Sequence, residues 1–60
     1  MPQAEILRAM AKAEEDLSKL IAERALNCTS ETERKNLRSL WRLSHVRAGY
    51  FQEMALNASD

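Results

Sequence analysis

The amino-acid sequence predicts an all-α fold, an antiparallel hairpin of two helices at about residues 3–26 and 31–56. Two observations support this prediction. Apolar residues recur at spacings of three and four on both sides of a short polar segment, residues 27–33, and this spacing is typical of amphipathic helices. The polar segment contains consecutive residues of low helix propensity, which favours a break between two helices. We expect residues 1–60 to form a single domain.

Helix 1 should begin near Gln3, because Pro2 suits the first turn of a helix and Glu5 is favoured at the positive end of the helix dipole. We expect it to continue to about Leu26. The predicted core row of helix 1 has apolar residues spaced four and three apart, namely Ile6, Met10, Ala13, Leu17 and Leu20, widened by Leu7 and Ile21.

The polar segment predicts how the chain turns. Asn27 tolerates the left-handed backbone conformation that often ends a helix. Ser30 followed by Glu33 fits a capping box at the start of helix 2. The alternative is one unbroken helix of about 55 residues in a long coiled coil, which the low helix propensity of this segment disfavours.

A reversal of the chain at this segment determines which residues of the two helices face each other. The predicted contacts are Leu20 with Leu37, Leu17 with Leu40, Ile6 with Phe51, Ala13 with Ser44, and Arg24 with Glu33. Arg47 should lie within reach of Glu14, and two interpretations of it stay open. Arg47 forms an ion pair with Glu14 inside the hairpin, or it lies in an interface with a partner and fixes the register.

Helix 2 carries more apolar surface than one neighbouring helix can cover, because its apolar and small residues fill nearly half of its circumference. Two helices alone also provide little stability to a chain of 60 residues. We therefore expect a protein–protein interaction module, an adaptor or regulator, that forms a homodimeric four-helix bundle. Another protein is the alternative partner, with this chain as a small subunit or co-chaperone of a heteromeric assembly. The candidate interface residues are Leu40, Trp41, Leu43, Arg47, Tyr50, Phe51 and Met54.

Basic residues follow the outward side of helix 2. This basic ridge consists of Arg34, Lys35, Arg38 and Arg42, with His45 beyond it. A ridge of this kind on a regulator could follow a phosphate backbone, so nucleic acid is an alternative partner. Lys and Arg are also ordinary residues of a solvated helix face. The net charge of zero favours that simpler interpretation.

The sequence offers no site for chemistry, so we do not expect an enzyme, a cofactor, a metal site or a small-molecule substrate. Gly49 is the only glycine, which excludes a glycine-rich phosphate loop. Cys28 and His45 lie too far apart along the chain to act as a nucleophile and its base. No apolar segment approaches the length of a membrane span and no secretory signal is recognisable, so we expect a cytoplasmic protein without a membrane partner.

In outline, this architecture resembles the Rop proteins of plasmid copy control, hairpins of similar length that dimerise into four-helix bundles and bind RNA. It is also similar in outline to the small hairpin co-chaperones of type III secretion needle subunits. Both resemblances cover the whole chain but include no specific motif, so they imply no roles for individual residues. They are likenesses of shape, and fold alone does not determine function.

Overall fold

The computed structural model describes residues 2–58. It contains two α-helices, α1 over Gln3–Leu26 and α2 over Glu31–Asn57, which pack side by side along their length. The predicted all-helical hairpin is confirmed, and each helix end lies within one residue of its expected position. Residues 1, 59 and 60, which belong to the predicted single domain, lie outside the described residues.

Two ion pairs show that the helices run antiparallel. Arg24 pairs with Glu33 close to the turn, whereas Glu14 in the middle of α1 pairs with Arg47 much further along α2. The resulting hairpin is slender, with Cα atoms spanning 46 × 13 × 11 Å. The chain therefore folds back on itself and does not continue as one long helix.

The start of α2 follows the predicted cap, but the end of α1 does not. Ser30 Oγ accepts a hydrogen bond from the backbone N–H of Glu33 at 3.2 Å. Asn27 has φ −98° and ψ 4°, so the predicted left-handed conformation is wrong. Its backbone N–H still bonds to carbonyl groups of the last turn, and its side chain donates to the carbonyl oxygen of Glu23 at 3.0 Å. These bonds end the helix without a left-handed residue.

The connection between the helices is held by a side chain of α2 and by a thiol within the loop. Arg34 Nη2 donates to the carbonyl oxygen of Cys28 at 2.7 Å, which ties the first turn of α2 to the loop. The Cys28 thiol donates to the carbonyl oxygen of Ser30 at 3.3 Å, and Cys28 is only 5% exposed. The sharp reversal is thus stabilised by Arg34 of α2 together with the loop's own thiol and carbonyl groups.

The helices meet along a seam, by which we mean the row of buried residues between them. Its members are Leu7, Ala11 and Ser18 on α1, Cys28 at the turn, and Ser44, Ala48 and Ala55 on α2. Most of these side chains are small, which permits a close approach of the two helix axes. Among residues 2–58, no large side chain is fully buried. The hairpin alone therefore has a thin core.

Most of the predicted core row of α1 lies outside this seam, so its assignment as the core of the hairpin is wrong except for Leu7, which is buried as predicted. Four of its large side chains remain 42% to 63% exposed, namely Ile6, Met10, Leu17 and Leu20. Ala13 is exposed as well, and Ile21 is half-buried. On α2, Leu40 is half exposed, whereas Ser44 is buried as predicted. The physical reason is that a neighbouring row of small residues has the same helical spacing and allows closer contact between the helices.

Candidate interaction surfaces

Large apolar side chains form one continuous surface on a single side of the hairpin, which we call the apolar face. It consists of Ile6, Met10, Ala13, Leu17 and Leu20 on α1 and Leu40, Leu43, Tyr50 and Met54 on α2. Arg24 lies four residues after Leu20 and so continues the row on α1. Arg47 lies between Leu43 and Tyr50 in the row on α2, at the same helical spacing. Because Arg24 pairs with Glu33 and Arg47 pairs with Glu14, the two rows lie on the same side of the seam.

The apolar face is unusually exposed for residues of this type. Its large side chains retain between 42% and 63% of their accessible surface, with Leu20 and Tyr50 the most exposed. Scattered exposed leucines are normal on protein surfaces, whereas a contiguous apolar patch commonly marks an interaction site. Four predicted interface residues, Leu40, Leu43, Tyr50 and Met54, belong to this face.

A charged pair lies in the middle of the apolar face. Arg47 Nη1 donates to Glu14 Oε1 at 3.4 Å, which confirms the predicted pair inside the hairpin. The Glu14 side chain is only 17% exposed, whereas that of Arg47 is 59% exposed. Within the described part of the chain, Glu14 Oε2 is buried and accepts no hydrogen bond. A buried carboxylate oxygen without a donor carries a desolvation cost, so the pair is incompletely satisfied.

A second ion pair lies at the turn end of the apolar face, where the sequence predicted it. Both Nε and Nη2 of Arg24 lie 2.9 Å from Glu33 Oε1. The Cys28 thiol and, after it, the Arg24 guanidinium hold the pKa of the Glu33 carboxyl below its ordinary value. The two side chains are 63% and 41% exposed, so solvent weakens the pair.

Phe51 and Trp41, the other two predicted interface residues, occupy different places. Phe51 is half-buried and lines a depression in the apolar face together with Met10, Ala13, Glu14 and Leu17. Trp41 is 37% exposed and lies across the seam, on the side away from the apolar face. The structure therefore does not place Trp41 with the rest of the predicted interface.

Trp41 belongs to a second surface, which the sequence interpretation did not identify. Its indole ring stacks on His45 one helical turn later, with ring centroids 5.0 Å apart and planes 9° from parallel. Spacing of four residues on a helix is the signal that could have predicted this contact. A depression beside Trp41 is lined by Ala22, Ala25, Leu26, Arg34, Leu37 and Arg38.

The basic ridge is only partly available to a ligand. Arg34 is part-buried and its guanidinium is bound to the carbonyl oxygen of Cys28. Lys35, Arg38 and Arg42 are exposed, and Arg38 borders the depression beside Trp41. The ridge thus has an aromatic neighbour in Trp41.

Chemical sites are sparse on the hairpin. In the part of the chain from residue 2 to residue 58, no group of three His, Cys, Asp or Glu side chains is placed to hold a metal ion. Cys28 is buried at the turn, while His45 is exposed and stacks on Trp41. Over the same residues, neither helix has an apolar stretch long enough to traverse a bilayer.

The sequence matches no protein-family model, and neither a curated protein nor a solved structure is significantly similar to the chain. Any function therefore has to follow from the surfaces of the hairpin itself.

Proposed function

We propose that this chain is a protein–protein interaction module that acts as a homodimer, in which two hairpins pack their apolar faces together as a four-helix bundle. The observation that carries this proposal is the arrangement of the apolar residues. Mostly small side chains fill the seam inside one hairpin, whereas a row of large side chains on each helix remains 42% to 63% exposed on one side. Helix bundles bury such rows against facing helices.

The surface area of the hairpin supports a second copy as the occupant of the apolar face. A compact protein of this mass exposes about 4,000 Å², whereas the hairpin exposes 4743 Å². Two hairpins packed as compactly as an average protein of twice the mass would together bury about 2,900 Å². Stable homodimers bury about 2,000–5,000 Å². A dimer of average compactness would therefore bury an area of the size that obligate dimers bury.

The charges of the face also fit association with a copy. A two-fold dimer brings the same patch of both chains together, so the patch must be complementary to itself. Arg47 and Glu14 balance each other within one hairpin, as do Arg24 and Glu33, and the whole chain has a net charge of zero. Two apolar faces can therefore meet without net repulsion. The opposite side, with Trp41, stays free for a further partner, which suits an adaptor or regulator.

Mass measurement by sedimentation equilibrium across a concentration series tests this proposal, with helicity followed in parallel by circular dichroism. We expect a helical dimer that loses both mass and helicity together on dilution. A helical monomer at all concentrations would refute association. An unfolded monomer at all concentrations would instead indicate a heteromeric assembly with another protein.

A matched pair of variants tests the face itself. Leu43→Lys should abolish the dimer, because Leu43 is 55% exposed within the apolar face. Leu56→Lys should leave it intact, because Leu56 is 86% exposed and lines a depression with Arg8, Gln52 and Ala55 on the other side of the hairpin. Equal effects of the two substitutions would show that dimerisation does not use the apolar face.

Nucleic-acid binding is a second candidate function, and the stack of Trp41 on His45 is the observation that favours it. An exposed aromatic ring beside Arg38, with Arg42 nearby, combines base stacking with phosphate contacts. Binding should weaken steeply with salt and should be lost in the double variant Arg38→Glu, Arg42→Glu. The double variant Lys12→Glu, Lys19→Glu on α1 makes the same change in net charge and serves as the control. Absent or salt-insensitive binding would exclude this function.

A further inference from the structure

The pair of Glu14 and Arg47 occupies the centre of the apolar face. Residue 14 lies midway along α1, and Arg47 lies within one turn of the midpoint of α2. Four large apolar residues extend from the pair toward the turn and four toward the open end, namely Leu17, Leu20, Leu40 and Leu43 on one side and Ile6, Met10, Tyr50 and Met54 on the other. A two-fold axis through the centre of the face therefore passes close to the charged pair.

The pair also has hydrogen-bonding capacity that one hairpin does not use. Glu14 Oε2 is buried without a donor, and the bond to Oε1 is long, at 3.4 Å. Arg47 carries five N–H donors in a planar fork and remains 59% exposed. Rotation about the last side-chain bond of Glu14 exchanges its two oxygens, so either oxygen can accept a donor that arrives at the apolar face.

We infer that Glu14 and Arg47 of two copies form one charged layer at the centre of the dimer, in which each Glu14 accepts hydrogen bonds from its own Arg47 and from Arg47 of the second copy. This inference rests on the proposed homodimer. The layer has two positive and two negative groups, so its charge is balanced. It supplies the donors that each carboxylate lacks in a single hairpin.

The layer selects the arrangement of the dimer more than it adds affinity. Buried ion pairs gain little over apolar residues of similar volume, but a single buried polar layer can fix register and partner. A shift of one hairpin along the other by a helical turn would place Arg47 and Glu14 against leucine or methionine of the second copy, and each pair would lose its contacts with the other chain. The layer therefore specifies a second copy in one register over other apolar helices.

Charge reversal with mixing tests whether the layer joins two copies. Arg47→Glu gives a chain with two acids in the layer, and Glu14→Lys gives a chain with two bases. Each variant alone should dimerise at least about 30-fold more weakly than the wild type, because like charges are buried together. An equimolar mixture should form a heterodimer, because every acid of one chain then faces a base of the other.

The mixture needs a control for general attraction, since the two substitutions move a net charge of zero by two units in opposite directions. Glu23→Lys provides it, because Glu23 is exposed near the end of α1 and outside the layer. A mixture of Arg47→Glu with Glu23→Lys has the same net charges and should not recover the heterodimer. Recovery in this control would overturn the inference.

The outcomes separate this inference from the proposed dimer. A monomeric wild type refutes the dimer and the layer together. A dimeric wild type whose two layer variants show no recovery on mixing refutes the layer alone. Should a variant be unfolded by itself, helicity gained on mixing supports the layer, and helicity that stays absent overturns it.

Discussion

Ala11→Leu should destabilise the hairpin, because Ala11 lies in the seam between the helices with only 2% of its surface exposed. Leucine adds a branched side chain where the opposing helix leaves no space for it. Overpacking of this kind costs about 1–3 kcal/mol. Ala and Leu have similar helix propensities, so helix formation itself neither offsets nor adds to the loss.

Thermal unfolding followed by circular dichroism measures this loss, at one fixed protein concentration because self-association raises the apparent stability. For a domain of this size, a loss of 1 kcal/mol lowers Tm by about 4–8 °C. Ala9→Leu is the matched control, since Ala9 lies on the exposed side of the same helix and should tolerate leucine. Equal Tm values for the two variants would refute the assignment of the seam to the small residues.

Three further predictions concern helix interiors, caps and charge. Gly49→Ala should raise the free energy of unfolding by about 0.5–1 kcal/mol, because Gly49 lies inside α2 and an added Cβ meets nothing within 4 Å; urea denaturation measures the gain. Ser30→Ala should lower the same free energy by about 0.5–2 kcal/mol, because it removes the cap on the N–H of Glu33. The Cys28 thiol and then Arg24 hold the pKa of Glu33 below its ordinary 4.5, so its ionised form stabilises the fold. This contribution to the free energy of unfolding is complete above the ordinary pKa and is lost as the pH falls through the lowered pKa. Unfolding measured over an acid pH series should show the loss in the wild type and not in Glu33→Gln.

Each of these predictions has an outcome that contradicts it. A urea midpoint of Gly49→Ala at or below that of the wild type would indicate a close contact at this position. No change in Ser30→Ala would mean that water replaces the cap without loss. Identical acid titrations of the wild type and Glu33→Gln would show that the Glu33 pKa is the same in the folded and unfolded chain.

The sequence alone predicts the helix ends and the charged contacts well, because these depend on local signals. The Ser30 hydroxyl can accept a hydrogen bond from the first turn of the helix that follows it, whatever the rest of the chain does. The turn next to Ser30 then brings Arg24 to Glu33. Asn27 is the exception, since its side chain bonds to Glu23 and the left-handed conformation is not needed.

The assignment of faces could not be predicted in the same way. Helical periodicity identifies two adjacent rows on α1, one with Leu17 and one with Ala11 and Ser18, but it does not state which row meets α2. Hydrophobicity ranks the row with Leu17 first, whereas close contact between two helices favours the row of small residues. Trp41 was misplaced for a related reason, because it lies beside Leu40 in sequence but about 100° around the helix from it.

The burial of Cys28 gives the hairpin an internal probe of its own opening. It is the only cysteine of the chain, it is 5% exposed, and its thiol is bonded to the loop. A thiol-reactive reagent can therefore modify it only when the turn opens. The rate of alkylation would report the free energy of opening at the turn in the unaltered protein, without any substitution or label.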